Sequence, residues 1–189
     1  MLATTVETPR MLNGLNVDDV MQLINTVKAN PAEGQTRWSV SSVWLGGTLN
    51  RATIRSFEMG GHEYMRPFTM EVDEPLQIGG TDTQPNPQEY LLAALNACMI
   101  NGYAAICALE GIRLDKLEIK TSGNIDLRGF LGIDPNVNPG YDSLTYTVTI
   151  KGDATPEQFE KVHKMVMATS PNFSNVSKAV AMNPTLVVE

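Results

Sequence analysis

Apolar and polar residues alternate along the stretch from Trp38 to Asp73. They form three runs with a period of two, separated by the glycine pairs Gly46-Gly47 and Gly60-Gly61, and the runs are WSVSSVW, LNRATIRSF and HEYMRPFTMEVD. Alternation of this kind is typical of strands with one buried face, and paired glycines are typical of tight turns. The pattern therefore predicts three consecutive strands.

A helical period takes over in two other segments. Residues 16–29, NVDDVMQLINTVKA, predict an amphipathic helix that begins with a capping asparagine. The segment ATPEQFEKVHKMVMA predicts a second helix, in which Thr155 is the cap, Pro156 the first helical residue and Gln158 the other half of a capping box. Ser170-Pro171 then predicts a further short helical segment.

The remaining segments complete an α+β order. Strand character is found in the runs LDKLEIKTSGNIDLRG, LTYTVTIK and the C-terminal TLVV, and a long helix is predicted between Asn86 and Gly111. Three strands, a helix, two strands, a helix and a final strand indicate an α+β fold with a mainly antiparallel sheet. Residues 1–35 are expected to form an N-terminal helical arm, and residues 36–189 the main domain.

The long helix carries no charged residue from Leu91 to Leu109. Its length would cross a bilayer, but Asn96 and Asn101 fall on different faces, where lipid would leave their amides unpaired, and no basic cluster flanks it. A soluble helix that is apolar all round is expected to be buried all round. Because one small sheet covers only one side, we expect the other side to pack on the same helix of a second subunit, in an intertwined homodimer.

Both cysteines of the chain, Cys98 and Cys107, lie in this helix. Their spacing places them on opposite sides and about 13 Å apart along the axis, which is too far for a disulfide. A buried cysteine usually serves as a small apolar side chain, and we expect that role for Cys107. A reactive thiolate at Cys98 would need a nearby arginine or hydrogen-bond donor.

The composition of the chain excludes several classes of function. A formal net charge of -7 and a pI of about 4.8 argue against a nucleic-acid surface. Two cysteines do not build a disulfide framework, and the N-terminus lacks the pattern of a signal peptide, so we expect a cytoplasmic protein with reduced thiols and no membrane partner. The two histidines, His62 and His163, lie far apart, and neither a metal site nor a cofactor is expected.

The stretch GGTDTQPNPQEYLLAALNAC resembles the OsmC/Ohr family, the osmotically inducible and organic-hydroperoxide-resistance proteins. The family has a glycine-rich loop, then Asn-Pro, an acidic residue and a helix with Ala-Cys, and the matching residues are Gly79-Gly80, Asn86-Pro87 and Ala97-Cys98. The segments LDKLEI, DLRGFLG and TPEQFEKVHKMV followed by Ser-Pro also look like the family. The resemblance covers about residues 36–189.

The resemblance implies a fold and a chemistry. The family fold is a swapped homodimer, with antiparallel sheets packed on two long central helices. Its characterised members reduce organic hydroperoxides with a thiol, so the resemblance implies that Cys98 is the peroxidatic cysteine. An arginine lowers the pKa of that thiol and orients the peroxide, an acid holds the arginine, and an apolar pocket at the dimer interface takes the substrate.

The chain departs from the family pattern at the second cysteine and at the acid. Ser170 stands where the family has the second cysteine, so the sulfenate needs an external thiol or another subunit to resolve it. The acid is shifted by one residue, because Gln88 stands two places after Asn86 and Glu89 follows it. We expect Cys98 and Glu89 to be catalytic, and Gln88 and Ser170 to contact the substrate.

The activating arginine is the third departure. Arg51, next to a glycine-pair turn, is the first candidate for a catalytic role, with Arg37, Arg55 and Arg66 as rivals. Two functions stay open: a thiol-dependent peroxidase acting through Cys98, and a dimeric small-molecule-binding protein that kept the fold and lost turnover.

Overall fold

A computed structural model describes residues 9–189, and the first eight residues of the predicted N-terminal arm lie outside the described part. The chain folds into two compact units, Met1–Leu91 and Leu92–Glu189. The first unit holds the strands predicted from the alternating pattern. The second holds most of the long apolar helix, a strand pair and the later helices.

The first unit begins with a small hairpin, β1 (Met11–Leu12) and β2 (Leu15–Asn16), followed by helix α1 (Val17–Ala29). The Asn16 side chain accepts a hydrogen bond from the backbone N–H of Asp18, which satisfies one of the free donors at the helix start. The helix predicted over residues 16–29 is therefore present, with its predicted cap.

Four strands form the antiparallel sheet of the first unit. They are β3 (Thr36–Trp38), β4 (Ser41–Gly46), β5 (Leu49–Met59) and β6 (His62–Val72). Strand β5 is central: β6 pairs along one edge, while β3 and β4 share the other. The first predicted strand is thus two short strands, and the other two are single strands as predicted.

A bulge interrupts the pairing of β5 with β6. Ser56 pairs with Met65 and Ile54 pairs with Phe68, so Arg66 and Pro67 together oppose Arg55. Proline has no N–H to give to a ladder, and edge strands and bulges are where it is tolerated. The bulge shifts the register of everything beyond it by one residue.

The buried carboxylate of Asp73 holds the loop that precedes the long helix. It accepts hydrogen bonds from the hydroxyls of Thr48, Thr81 and Thr83, at 2.6, 2.5 and 3.2 Å, and from the backbone N–H groups of Thr81 and Thr83. These bonds, led by those from Thr48 and Thr81, hold the pKa of Asp73 well below its usual range. The glycine-rich loop is therefore anchored to the sheet of its own unit.

Helix α2 (Pro87–Leu109) starts in the first unit and supplies the core of the second. Its start is a capping box, since the Glu89 N–H donates to the Asn86 side chain and the Asn86 N–H donates to the Glu89 carboxylate, each at 2.8 Å. By length and composition it could cross a membrane, a property that it shares with core helices of soluble proteins.

One face of α2 is buried and the other is open. Ala94, Ala97 and Asn101 follow one another along the exposed face. One chain therefore buries one side of α2, and the open side is the one that was expected to pack on a second subunit. The buried face carries Leu95, Met99, Tyr103 and Cys107.

The rest of the second unit packs on this buried face. Strands β7 (Leu114–Gly123) and β8 (Leu144–Gly152) form an antiparallel pair, and helix α4 (Pro156–Thr169) contributes Val162 and Val166 to the same core. Two short helices, α3 (Leu127–Phe130) and α5 (Pro171–Ser177), complete the unit. Helix α4 begins with the predicted capping box at Thr155.

The C-terminal strand prediction is wrong. Residues 178–189 have no regular secondary structure, and Leu186, Val187 and Val188 are exposed. The run TLVV has strand composition, but a strand needs a paired neighbour, and composition alone cannot supply one.

Candidate functional site

Cys98 lies at the midpoint of α2, half-buried and within reach of one hydroxyl group. The Ser170 Oγ lies 3.3 Å from the Cys98 Sγ, and Ser170 itself is only 5% exposed. The same oxygen accepts the backbone N–H of Phe173, also at 3.3 Å. Because that oxygen already accepts one hydrogen bond, its own proton is directed at the Cys98 sulfur.

Local sequence explains why Ser170 is held at this place. Helix α4 ends at Thr169, Ser170 is the N-cap of α5, and Pro171 is the first residue of α5. The Asn172 side chain donates a 2.9 Å hydrogen bond to the Ala94 carbonyl of α2, which ties the two helices together. The predicted substrate-contacting residue Ser170 is therefore brought together with the predicted nucleophile.

Cys107 has the opposite surroundings. It is fully buried in the core of the second unit, and burial raises the pKa of its thiol to about 11, with a smaller contribution from Glu110. A thiol with this pKa carries almost no thiolate at neutral pH. The expected packing role of Cys107 agrees with this environment.

Arg51 is held by a carboxylate that sequence reasoning missed. Its guanidinium donates from Nε and Nη2 to one oxygen of Glu71, at 3.0 and 2.7 Å, across the β5–β6 ladder. Tyr90 on α2 donates to the Glu71 backbone carbonyl at 2.7 Å. Glu89, the predicted acid, is occupied as the helix cap, and Gln88 is half-buried in the first turn of α2.

The rival arginines of the first unit have other surroundings. Arg37 lies 3.7 Å from a Glu58 oxygen, and the Arg66 guanidinium lies over the Phe57 and Phe68 rings, at 5.6 and 5.0 Å from their centroids. Arg55 is exposed opposite the bulge. Arg51 thus has the shortest ion pair of the four among the described residues.

The second unit has two arginines of its own, and acids already engage both. Arg113 pairs with Asp115 and Asp153, and Arg128 pairs with Asp126. Within Leu92–Glu189 the hydrogen bond to Cys98 therefore comes from an uncharged group, Ser170. Among residues 9–189, no three or more His, Cys, Asp or Glu side chains form a group that could hold a metal ion.

Comparisons with known proteins give the family. A family model of OsmC-like proteins matches residues 80–185, more than half of the chain. That range begins within the glycine-rich loop, at Gly80, and includes α2 with Cys98, and Ser170. No curated protein matches the chain.

Solved structures show the same fold. An OsmC-like protein from Mycoplasma pneumoniae is 14% identical with a TM-score of 0.57, over 75% of this chain and 87% of that one. An OsmC-like protein of unknown function from Vibrio cholerae is 13% identical with a TM-score of 0.51, over 72% and 91%. The organic hydroperoxide resistance protein OsmC from Legionella pneumophila is 11% identical with a TM-score of 0.48, over 74% and 89%. The family match, together with the fold of the first two structures, shows that this chain belongs to the OsmC-like family.

Proposed function

We propose that this protein is a thiol-dependent peroxidase that reduces organic hydroperoxides through Cys98. The observation that carries the proposal is the Ser170 hydroxyl, 3.3 Å from a half-buried cysteine that occupies the Ala-Cys position of the family motif. The thiolate is the nucleophilic form of a cysteine, and the Ser170 hydroxyl is placed to donate a hydrogen bond to the sulfur. The contrast with Cys107, whose environment favours the thiol, supports the choice of Cys98.

The proposed reaction is a two-electron transfer from sulfur to peroxide. The Cys98 thiolate attacks the outer oxygen of the hydroperoxide, a sulfur–oxygen bond forms and the O–O bond breaks. The organic fragment leaves as an alkoxide that takes up a proton, and Cys98 becomes a sulfenic acid. An external thiol then forms a mixed disulfide with release of water, and a second thiol restores the cysteine.

The reaction needs an external reductant because residue 170 is a serine. A serine cannot form a disulfide with the sulfenic acid, so the second unit contains no resolving thiol beside Cys98. The resolving sulfur belongs to a small thiol, a reducing protein or another subunit. In this scheme Ser170 donates a hydrogen bond to the Cys98 sulfur, and both Ser170 and Gln88 contact the substrate.

We propose Arg51 as the cation that orients the peroxide. Its guanidinium is half-exposed and held on one side by Glu71, which leaves other N–H donors for an oxygen ligand. Of the two candidate acids, Glu71 makes the ion pair and Glu89 caps the helix. The acid that positions the arginine is therefore assigned to Glu71, with Glu89 as the alternative.

The homodimer, the cytoplasmic location and the separate arm of residues 1–35 belong to the same proposal. The open face of α2 contains Ala94, Ala97 and Asn101. The small alanine side chains would allow a second helix to approach closely. Light scattering on the wild-type protein tests the dimer. A monomeric mass at micromolar concentration would remove an interfacial substrate pocket from the proposal.

The central experiment is brief exposure to cumene hydroperoxide in the presence of dimedone, followed by peptide mass spectrometry. The proposal predicts a dimedone adduct on the Cys98 peptide and dithiothreitol-dependent consumption of peroxide. Cys98→Ser abolishes both, and Cys107→Ser, the matched control, keeps both. Equal peroxide consumption by wild type and Cys98→Ser would contradict the proposal.

A second function is favoured by the serine at position 170. Without a resolving cysteine, the family fold also suits a dimeric small-molecule-binding protein that does not turn over. The same experiment separates the two, because a binding protein gives no adduct at Cys98 and no consumption of peroxide.

A further inference from the structure

A cavity of about 840 Å³ lies within the second unit, between strand β8 and helix α4. The cavity is open to solvent, and its volume falls in the range of small-molecule sites. The peroxidase proposal uses none of its lining residues. Its apolar walls come from Tyr146, Val148, Ile150, Ala154 and Phe159.

A buried tyrosine and a histidine form the polar part of the wall. Tyr103 is 1% exposed, and its hydroxyl makes a short hydrogen bond with the Nδ1 of His163. Burial raises the pKa of Tyr103, so the phenol keeps its proton and can donate a hydrogen bond to this nitrogen. The hydrogen bond occupies Nδ1, so Nε2 is the ring nitrogen of His163 that is left for a ligand.

The aromatic rings fix the position of this imidazole. The Tyr103 ring stacks on His163 with centroids 6.1 Å apart, and the Tyr146 ring lies at 6.2 Å with a tilt of 47°. Phe173 meets the Tyr146 ring edge-on at 6.3 Å. A donor held in a fixed direction among aromatic walls can orient a ligand, because little conformational entropy is lost when the ligand binds.

The charges on the cavity do not select a charged ligand. Lys151 on β8 and Glu160 on α4 both line it, both are exposed, and their charges are opposite. Exposed charges are well solvated and attract a ligand only weakly. The chemistry that remains is an apolar aromatic surface with one imidazole nitrogen, His163 Nε2, available for a hydrogen bond.

We propose that this cavity binds a small uncharged aromatic molecule with a single hydrogen-bond acceptor, such as an aryl ketone. In this proposed complex the ligand ring packs against Tyr146 and Phe159, and the ligand oxygen accepts a hydrogen bond from the Nε2–H group of His163. Binding needs neither Cys98 nor a peroxide, so the site stands apart from the peroxidase proposal.

The test is a titration followed by nuclear magnetic resonance, with acetophenone and ethylbenzene as probes. The two molecules have nearly the same shape, but only acetophenone has an acceptor. Acetophenone is expected to shift the Tyr146 and Phe159 signals saturably at millimolar concentration and to bind at least tenfold more tightly than ethylbenzene. Absence of saturation, or equal affinity for both probes, would overturn the proposal without any variant.

Variants locate the site. Ala154→Phe fills the cavity and is expected to weaken acetophenone at least tenfold, while Ala168→Phe, the same change on an α4 residue outside the cavity, leaves affinity unchanged. His163→Phe keeps a ring but removes the donor, so both probes then bind equally; if this variant fails to fold, the Ala154→Phe pair still decides. Unchanged binding in Ala154→Phe would contradict the proposal. Cys98→Ser binds acetophenone as wild type does, so the two proposals fail on separate measurements.

Discussion

The Ser170 hydroxyl donates a hydrogen bond to the sulfur of Cys98, over 3.3 Å and between residues 72 positions apart in the chain. The serine is in turn fixed by the N–H of Phe173 at the start of α5. The family resemblance implies a second cysteine at this place, where this chain has a serine. The two side chains are in contact, but only one of them carries a sulfur.

Replacing this serine by cysteine should create a resolving thiol. Ser170→Cys is expected to form a disulfide with Cys98 after one equivalent of cumene hydroperoxide, because the two side-chain atoms are already in contact and disulfide bonding needs a separation of about 2.05 Å. Non-reducing peptide mapping should show one cross-link between Cys98 and the introduced thiol, with loss of about 2 Da. Ser174→Cys, on the next turn of α5, is the matched control and should stay unlinked; a cross-link to Cys107 instead would contradict the described geometry.

The two native thiols should differ sharply in reactivity. Burial raises the pKa of Cys107 to about 11, so at pH 8 iodoacetamide is expected to label one cysteine in the folded wild-type protein and none in Cys98→Ser. In guanidinium chloride the number of labelled cysteines is expected to rise to two in the wild-type protein and to one in Cys98→Ser. Rapid labelling of Cys107 in the folded protein would show that its environment is open to solvent.

Activity measurements on variants can distinguish the roles of Arg51 and of the two candidate acids, Glu71 and Glu89. If the wild-type protein consumes cumene hydroperoxide, Arg51→Ala should lower kcat/KM about 100-fold, the usual size of a lost charge-stabilising contact. Stability should change by less than about 1 kcal/mol, because the pair with Glu71 is partly exposed.

The acids give the matched comparison. Glu71→Gln is expected to lower kcat/KM about tenfold by loosening the arginine, an effect of about 1.4 kcal/mol on the transition state. Glu89→Gln should be neutral, since glutamine also completes a capping box. The reverse order of effects would move the acid role to Glu89.

Asp73 should make stability depend on pH. Hydrogen bonds from Thr48 and Thr81 lower its pKa, so the carboxylate contributes stability above its unfolded-state pKa of 3.8 and loses that contribution as pH falls through the lower folded-state value. Asp73→Asn is therefore expected to lower Tm by several degrees at pH 7, measured by calorimetry, and the gap to wild type should narrow below about pH 4. Asp82→Asn, at an exposed left-handed position that suits asparagine, is the control and should leave Tm unchanged.

Local signals predicted much of this fold. The caps at Asn16, Asn86 and Thr155 gave the helix starts, because a cap is a contact between residues three or fewer apart. The glycine pairs gave the hairpin turns for the same reason. The missing C-terminal strand shows the limit, because pairing is not a local property.

The partner of Arg51 was missed for a reason that the sequence did contain. Counting back from the Gly60-Gly61 turn in an unbroken ladder places Met70 opposite Arg51, and the bulge at Pro67 moves Glu71 into that position instead. A proline inside a strand pattern signals such a bulge. The contact of Ser170 with Cys98 had no comparable local signal and followed only from the family resemblance.

The bulge also determines which changes of length the β5–β6 hairpin tolerates. Deleting Pro67 would leave Arg66 alone opposite Arg55, turn an irregular ladder into a continuous one, and keep Arg51 facing Glu71. Replacing Pro67 by a strand-forming residue keeps the count but allows a slipped alignment, in which the guanidinium meets a thioether and loses its counter-ion. Relatives that carry the same arginine–glutamate pair are therefore expected to differ by single-residue gaps at this point rather than by point substitutions.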